Sequence, residues 1–237
     1  MDTEISVNAR RAFGVVAIFA WFGMGLNFIL TLFNAYPTVQ TDPNLLGNNP
    51  DGIAGVIGRM IDFFSYFTIV SNILVAIVMT ALALGKLRPT FWGRVFRLDS
   101  LMMISITGII FVALLAPTAH PVGLYVVTNA VEHYLVPILV VLTWLIWGPR
   151  RWFSFTGILA ALIIPVIWAV YCLVRGAVIN AYPYPFLNVA KYGLSTVLVT
   201  IVEVAIIGIV IGLIYWGIDA IIVRVSARNK VSVKVSA

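Results

Sequence analysis

The sequence predicts an all-α protein, a polytopic membrane helix bundle with six transmembrane helices and with both termini in the cytoplasm. Three observations predict this class: the composition, the recurrence of apolar segments of membrane length, and the distribution of positive charge. Of the 237 residues, 62% are hydrophobic and only 10% are charged, and the mean hydropathy is +1.05. A water-soluble domain typically has about 25% charged residues, so the composition excludes a soluble protein.

Six apolar segments are long enough to cross a hydrocarbon core of roughly 30 Å as helices that rise about 1.5 Å per residue. They cover residues 11–35, 60–84, 98–116, 124–148, 153–174 and 191–223. The first segment is too long for the apolar region of a signal peptide, and no cleavage site of small residues follows it. We therefore expect a single integral-membrane domain over residues 1–237.

The basic residues set the orientation of these spans. If both termini are cytoplasmic, only Arg59, Arg175 and Lys191 lie outside, so 12 of the 15 basic residues (15 − 3) are on the cytoplasmic side. Such a bias is typical of the inner side of membrane proteins. The expected location is the plasma (cell) membrane, and nucleic acid is not an expected partner because the charges follow the topology.

Polar residues within the spans share one depth near the outer surface. At about 1.5 Å per residue, Thr68 lies roughly 12 Å below that surface and His133 roughly 13 Å. By the same rise, Asn27 lies about 12 Å deep and Glu203 about 18 Å deep. Ionisable groups inside a bilayer cost free energy and usually mark function, so we expect an internal polar site. Asp99 and Asp219 lie near the inner interface and need no special role.

Two helix faces carry this polar layer. At about 100° per residue, each face covers an arc of roughly 120°. The first consists of Ser65, Thr68, Ser71 and Asn72, and the second of Asn129, Glu132 and His133. Serine and threonine in membrane helices also bond back to the carbonyl one turn earlier, so a purely structural polar core stays open as an alternative.

Better-known catalytic patterns are missing from the sequence. It contains no GxSxG, no HExxH, no Walker loop and no GxGxxG that opens a helix after a strand. With one cysteine, Cys172, and two histidines, we expect no metal site and no cofactor. Acid–base or nucleophilic chemistry remains.

Three short motifs, in order, resemble a known family. They are Asp62–Ile69 (DFFSYFTI), Asn129–His133 (NAVEH) followed by Pro137, and Tyr184–Leu187 (YPFL). Together they resemble the androgen-induced (FAR-17a-type) membrane proteins, integral-membrane threonine hydrolases that cleave fatty acid esters of hydroxy fatty acids. The resemblance covers spans two to six, about two thirds of the chain. The outer loop between the first two spans is longer here, and Pro137 stands one residue closer to the histidine than in animal members.

The resemblance implies that Thr68 and His133 form the catalytic pair and that Asn129 matches the family's asparagine. A threonine hydroxyl needs a general base, which neutral His133 can provide while Thr68 attacks an ester carbonyl. Asn129, one turn before His133, is expected to orient the imidazole.

Further residues are expected to support the reaction or to bind substrate. Ser71 and Asn72 are possible donors to an oxyanion. Arg175 is expected either to pair with a lipid carboxylate or to extend to the interface. Ser65, Tyr184 and Glu203 complete the supporting set.

Two other functions stay open. In a proton-coupled transporter or channel, His133, Glu203 and Glu132 form a relay and Thr68 helps to coordinate the substrate. In a non-catalytic membrane protein, the same polar groups only hold the helices together.

Overall fold

The computed structural model describes residues 5–36 and 42–235, with side chains up to residue 228. Helices form the regular structure of these ranges. They are α1 (Val7–Leu32), α2 (Val56–Ser65), α3 (Phe67–Ala83), α4 (Phe91–Ile110), α5 (Tyr125–Ala130), α6 (Val136–Trp147), α7 (Phe155–Ala160), α8 (Ile163–Ile179), α9 (Val189–Tyr192) and α10 (Leu194–Val235).

Five segments of the described chain are long and apolar enough to cross a membrane as helices. They are Val7–Leu32, Phe91–Thr118, Leu124–Trp147, Phe155–Ile179 and Leu194–Arg228. The bent pair Ile53–Ser65 with Phe67–Ala83, whose axes meet at 69°, makes a sixth if it is counted as one broken span. The predicted polytopic bundle is confirmed, although the third and sixth helices extend well beyond the predicted segments 98–116 and 191–223.

The prediction of a continuous second span over residues 60–84 was wrong, because the helix breaks at Tyr66. Tyr66 is extended, with φ −77° and ψ 132°. The Ser65 hydroxyl donates to the Ile61 carbonyl at 2.7 Å, and the Ser65 carbonyl accepts from the Trp168 indole at 2.9 Å instead of from the next helical turn. Side chains thus satisfy the groups that the break releases, and Thr68 lies in the first turn of α3.

Two π-helical segments interrupt the third and fourth spans. One, Phe111–Leu115, follows α4, and the other, Val131–Leu135, joins α5 to α6. Single π turns inside α-helices are rare and often occur at functional sites. Two glycines let neighbouring helices approach the second segment closely. A Cβ at Gly23 would lie 2.7 Å from Val131 Cγ1, and a Cβ at Gly108 would lie 3.4 Å from the His133 carbonyl oxygen.

The core lies between α1, α3, α4 and α6, where large apolar side chains such as Phe13, Met79 and Trp144 are fully buried. In contrast, α8 packs sparsely against the other helices, and only Ala169, Cys172 and Gly176 on it are buried. The uneven packing leaves space beside α8.

Two of the described loops, the one before α2 and the one after α8, pair with each other. Tyr182 donates its backbone N–H to the Asn44 carbonyl at 2.9 Å, and Leu46 donates to the Tyr182 carbonyl at 3.0 Å. Tyr182 packs directly on Gly176 of α8, where an added Cβ would lie 2.0 Å from the ring. The paired loops therefore hold the segment that carries Tyr184.

Candidate active site

Thr68 and His133 meet inside the bundle. Thr68 Oγ1 lies 3.1 Å from His133 Nε2, within hydrogen-bond distance, and both side chains are buried. The structure therefore brings together the two residues that the sequence placed at equal depth. Their catalytic role stays a prediction.

The imidazole has a defined tautomer. His133 Nδ1 lies 3.3 Å from the backbone carbonyl oxygen of Asn129. Because a carbonyl can only accept, Nδ1 carries the hydrogen, and Nε2 presents its lone pair to the Thr68 hydroxyl. Asn129 thus contacts the ring through its backbone carbonyl, while its side-chain Oδ1 is buried and has no hydrogen-bond partner among the described residues.

Phe111 fixes the plane of the imidazole. The two rings stack with centroids 3.9 Å apart and an interplanar angle of 24°. Each ring belongs to a π-helical segment, so the local change of helical pitch places both side chains at the same height. An aromatic face also favours a cation above it, so Phe111 would stabilise a protonated His133.

The break before α3 places the N-terminal backbone donors of that helix beside Thr68. The first N–H groups of a helix have no partner within the helix, and here the Thr68 N–H points to the Tyr184 hydroxyl at 3.4 Å. The same hydroxyl lies 3.5 Å from Thr68 Oγ1. Burial raises the pKa of Tyr184 to about 12, so the phenol stays neutral and able to donate.

Ser71 and Asn72, the expected oxyanion donors, have other acceptors. Ser71 Oγ donates to the Thr68 carbonyl at 3.0 Å and lies 2.8 Å from Thr107 Oγ1. Asn72 Nδ2 donates to the Thr68 carbonyl at 2.9 Å and to the Glu132 carbonyl at 3.4 Å. Both side chains therefore hydrogen-bond to the backbone carbonyl of Thr68. The sequence does not reveal this, because the position of a side chain on a helix face does not show which acceptor it uses.

An elongated apolar groove leads away from the Thr68 hydroxyl. We call it the acyl groove, and it lies between α4, α8 and α10. After the orientation that the sequence predicts, we call one end its outer part, lined by Thr68, Tyr184 and Phe186, and the other its inner part, lined by Leu162, Asp99 and Gly208. Val166, another lining residue, is 51% exposed on the surface of α8 that would face lipid. The groove is therefore open sideways, where an acyl chain could enter.

A second polar cluster, the Glu132 cluster, lies on the opposite side of the same π segment. Glu132 Oε2 accepts from Asn27 Nδ2 at 2.8 Å, and Tyr36 donates its hydroxyl hydrogen to Asn27 Oδ1. Asn27 and Glu132 thus meet within the polar layer, as expected. Their contact lies between α1 and the π segment and not at the acyl groove. Glu132 Oε1 is buried and has no hydrogen-bond partner within the ranges that the structure describes.

Ser65 and Arg175 lie apart from the Thr68–His133 pair. Arg175 Nη2 forms an ion pair with Asp62 Oδ1 at 2.5 Å, and its Nη1 lies 3.4 Å from Ser65 Oγ. Ser65 Oγ also lies 2.9 Å from the Tyr171 hydroxyl. In place of the expected pairing with a lipid carboxylate or extension to the interface, Arg175 joins α8 to α2. Arg175 therefore holds one wall of the acyl groove.

Glu203 does not join the site. Its side chain is exposed on α10, whereas the neighbouring residues Ile201 and Val204 line the acyl groove. The structure gives no support to a supporting role, nor to a relay with His133 and Glu132, because Glu203 lies on a different face of its helix.

Sequence reasoning missed two residues of the site. Phe111 carried no signal, since it is one aromatic residue in an apolar span, and its importance depends on the π turn. Asp99 was assigned to the inner interface, although it is 1% exposed and lines the acyl groove. The only signal in the sequence for a role of Asp99 was an acidic residue at the ninth position of α4.

We compared the chain with family models, with curated proteins and with solved structures, and nothing matches. The resemblance to the androgen-induced family thus rests on the three motifs alone.

Proposed function

We propose that this protein is an intramembrane hydrolase of lipid esters, of the type that cleaves fatty acid esters of hydroxy fatty acids, and that it acts in the cell membrane. One observation carries the proposal: a threonine hydroxyl lies 3.1 Å from an imidazole nitrogen with a free lone pair, at the outer part of an apolar groove. A nucleophile needs a base at about 2.6–3.2 Å, and a lipid ester needs an apolar site.

In the first step, His133 Nε2 removes the proton from Thr68 Oγ1 as the oxygen attacks the ester carbonyl carbon. The tetrahedral intermediate then expels the alkoxide, which takes the proton from His133 and leaves as an alcohol. The acyl group stays on Thr68 as an ester. Phe111, stacked on the ring, stabilises the imidazolium that exists between these two proton transfers.

Thr68 N–H and the Tyr184 hydroxyl are the groups that would stabilise the intermediate. The Tyr184 hydroxyl lies 3.4 Å from the Thr68 backbone nitrogen and 3.5 Å from Thr68 Oγ1, so a carbonyl oxygen that entered between these groups would meet both donors. The N-terminal end of α3 adds a partial positive charge at the same place. Such preorganised donors are worth about 10²-fold or more each in rate.

In the second step, His133 removes a proton from water, which attacks the acyl carbon. The bond to Thr68 Oγ1 breaks, the threonine regains its proton from His133, and a fatty acid leaves. The same base thus serves both halves of the reaction, as in serine hydrolases.

The direct test is hydrolysis of a long-chain ester by purified protein in micelles. Thr68→Ala and His133→Ala should each lower the rate by at least about 10³-fold. Thr80→Ala is a matched control, since Thr80 lies on the same helix and bonds to the Ala76 carbonyl and Trp21 away from the site. A fluorophosphonate probe should label wild type and not Thr68→Ala. Full activity in both site variants would refute the proposal.

Proton-coupled transport is the second candidate, because Glu132 carries a buried oxygen that no described residue hydrogen-bonds. In that case, protein in liposomes should move protons or solute across the membrane, and Glu132→Gln should stop the flux. A hydrolase predicts no flux and normal hydrolysis by that variant.

A further inference from the structure

Asp99 is a polar residue in an otherwise apolar part of the acyl groove. It lies on the face of α4 that lines the groove, one turn before Met102 and Met103. Its side chain is 1% exposed, and Oδ1 has no hydrogen-bond partner in the described part of the chain. A buried polar atom without a partner costs free energy of about 1–3 kcal/mol, so this position calls for a ligand.

The nearest basic residue in sequence does not satisfy Asp99. Arg97 points to the opposite side of α4, where its guanidinium lies 5.8 Å from the centre of the Phe13 ring. The two ion pairs of the described residues are Arg150–Asp219 and Arg175–Asp62, and neither includes Asp99. The unpaired oxygen of Asp99 is therefore left to bind a molecule in the groove.

The distance from the reacting atoms to Asp99 follows from α4. Phe111 stacks on His133 at the outer part of the groove, and Asp99 lies twelve residues earlier on the same span. At 1.5 Å per residue, the two levels are about 18 Å apart. An extended acyl chain bound at Thr68 would therefore reach Asp99 near its far end.

We propose that the acyl chain bound in this groove carries a hydroxyl group near its far end, which hydrogen-bonds to Asp99. The inference rests on the proposed function in taking an ester-linked chain as the occupant. A hydroxyl fits better than an amine or a plain methyl end, because it can both donate and accept and so pairs with a carboxyl in either protonation state. The substrate class is then an ester whose acyl part is itself a hydroxy fatty acid.

The first experiment compares para-nitrophenyl esters of one long chain, either plain or with a hydroxyl placed near the ester, in mid-chain or near the far end. In wild type, kcat/KM should be highest for the far hydroxyl, by about tenfold over the plain chain. This series needs no variant to fold. A flat series, or a maximum near the ester, would overturn the inference.

Variants then assign the preference to Asp99. Asp99→Leu should lose the preference for the far hydroxyl, whereas Asp99→Asn should keep part of it because an amide also donates and accepts. Met103→Leu, an apolar exchange on the same face, should leave the ratio unchanged. A preference that survives in Asp99→Leu would overturn the assignment.

A binding measurement separates this inference from the proposed function. In the Thr68→Ala protein, a long-chain primary alcohol and the same chain with a second hydroxyl at its far end compete against a fluorescent polyene fatty acid. The diol should bind about tenfold more tightly, and Asp99→Leu should remove the difference. If this result holds while no ester is hydrolysed, the proposed function fails, but the recognition of a chain hydroxyl by Asp99 stands. Equal binding would overturn the inference whatever the rates.

Discussion

Glu132 and His133 are neighbours in the sequence, yet they belong to two different sites. His133 faces the acyl groove and contacts Thr68, whereas Glu132 faces α1 and contacts Asn27. Both side chains are buried polar groups at the same depth of the same π segment. The difference is the space beside them. A polar group enclosed by protein on all sides can only stabilise, while one that borders a groove can also meet a substrate.

The same conservative change at both positions gives the largest expected contrast. His133→Gln removes the base and should lower hydrolysis by at least about 10³-fold. Glu132→Gln keeps an oxygen that can accept from Asn27 and should retain most of the rate. Rates of a long-chain ester, normalised to folded protein, measure both. Loss of hydrolysis in Glu132→Gln would show that the two sites act as one.

Tyr184→Phe, a change in the acyl groove beside Thr68, has the next largest expected effect. It removes one donor to the developing oxyanion and should lower kcat by about 10²-fold with little change in thermal stability. Tyr66→Phe is the matched control, since its ring lies 5.8 Å from that of Tyr184 in the same aromatic group. Equal effects of both changes would remove Tyr184 from the mechanism.

The alkaline limb of the rate profile gives a second check on Tyr184. Its pKa is raised to about 12 by burial, above the usual value near 10. The phenol therefore keeps its proton in the folded protein up to about pH 11, and its titration should cause no loss of rate below that pH. Stability should decline above pH 10, where the unfolded chain loses this proton first. A fall in rate near pH 10 that Tyr184→Phe abolishes would contradict this assignment.

Substitutions at the contact between Asn27 and Glu132 should change the stability of the protein and not its rate of hydrolysis. Asn27→Ala leaves the Glu132 carboxyl without its donor and should lower the free energy of unfolding by about 1–3 kcal/mol. Hydrolysis per folded molecule should stay the same. Adding Glu132→Met should recover part of the stability, because removing both partners is less costly than removing one. Denaturation in micelles measures both variants, and a loss of rate without a loss of stability would contradict the separation.

The polytopic helical bundle and the meeting of Thr68 with His133 were predictable, because hydropathy and depth depend on local sequence. The break at Tyr66 was not, since it depends on Trp168 of α8 donating to the Ser65 carbonyl. No local pattern encodes that partner. The roles of Asn129 and Phe111 likewise follow from a π turn, which changes the angle per residue that face assignments assume.

Ser71→Ala carries the smallest expected effect and decides between two descriptions of the groove side. On a continuous helix face, Ser71 is an oxyanion donor, and its loss should lower kcat by about 10²-fold. In the structure its hydroxyl donates to the Thr68 carbonyl and contacts Thr107, so its loss should cost about 0.5–1.5 kcal/mol of stability and change kcat little. The ratio of kcat between Ser71→Ala and Tyr184→Phe is therefore the informative quantity. If kcat of Ser71→Ala divided by kcat of Tyr184→Phe is near one, Ser71 on the helix face is an oxyanion donor. A ratio well above one favours donors at the N-terminal end of α3.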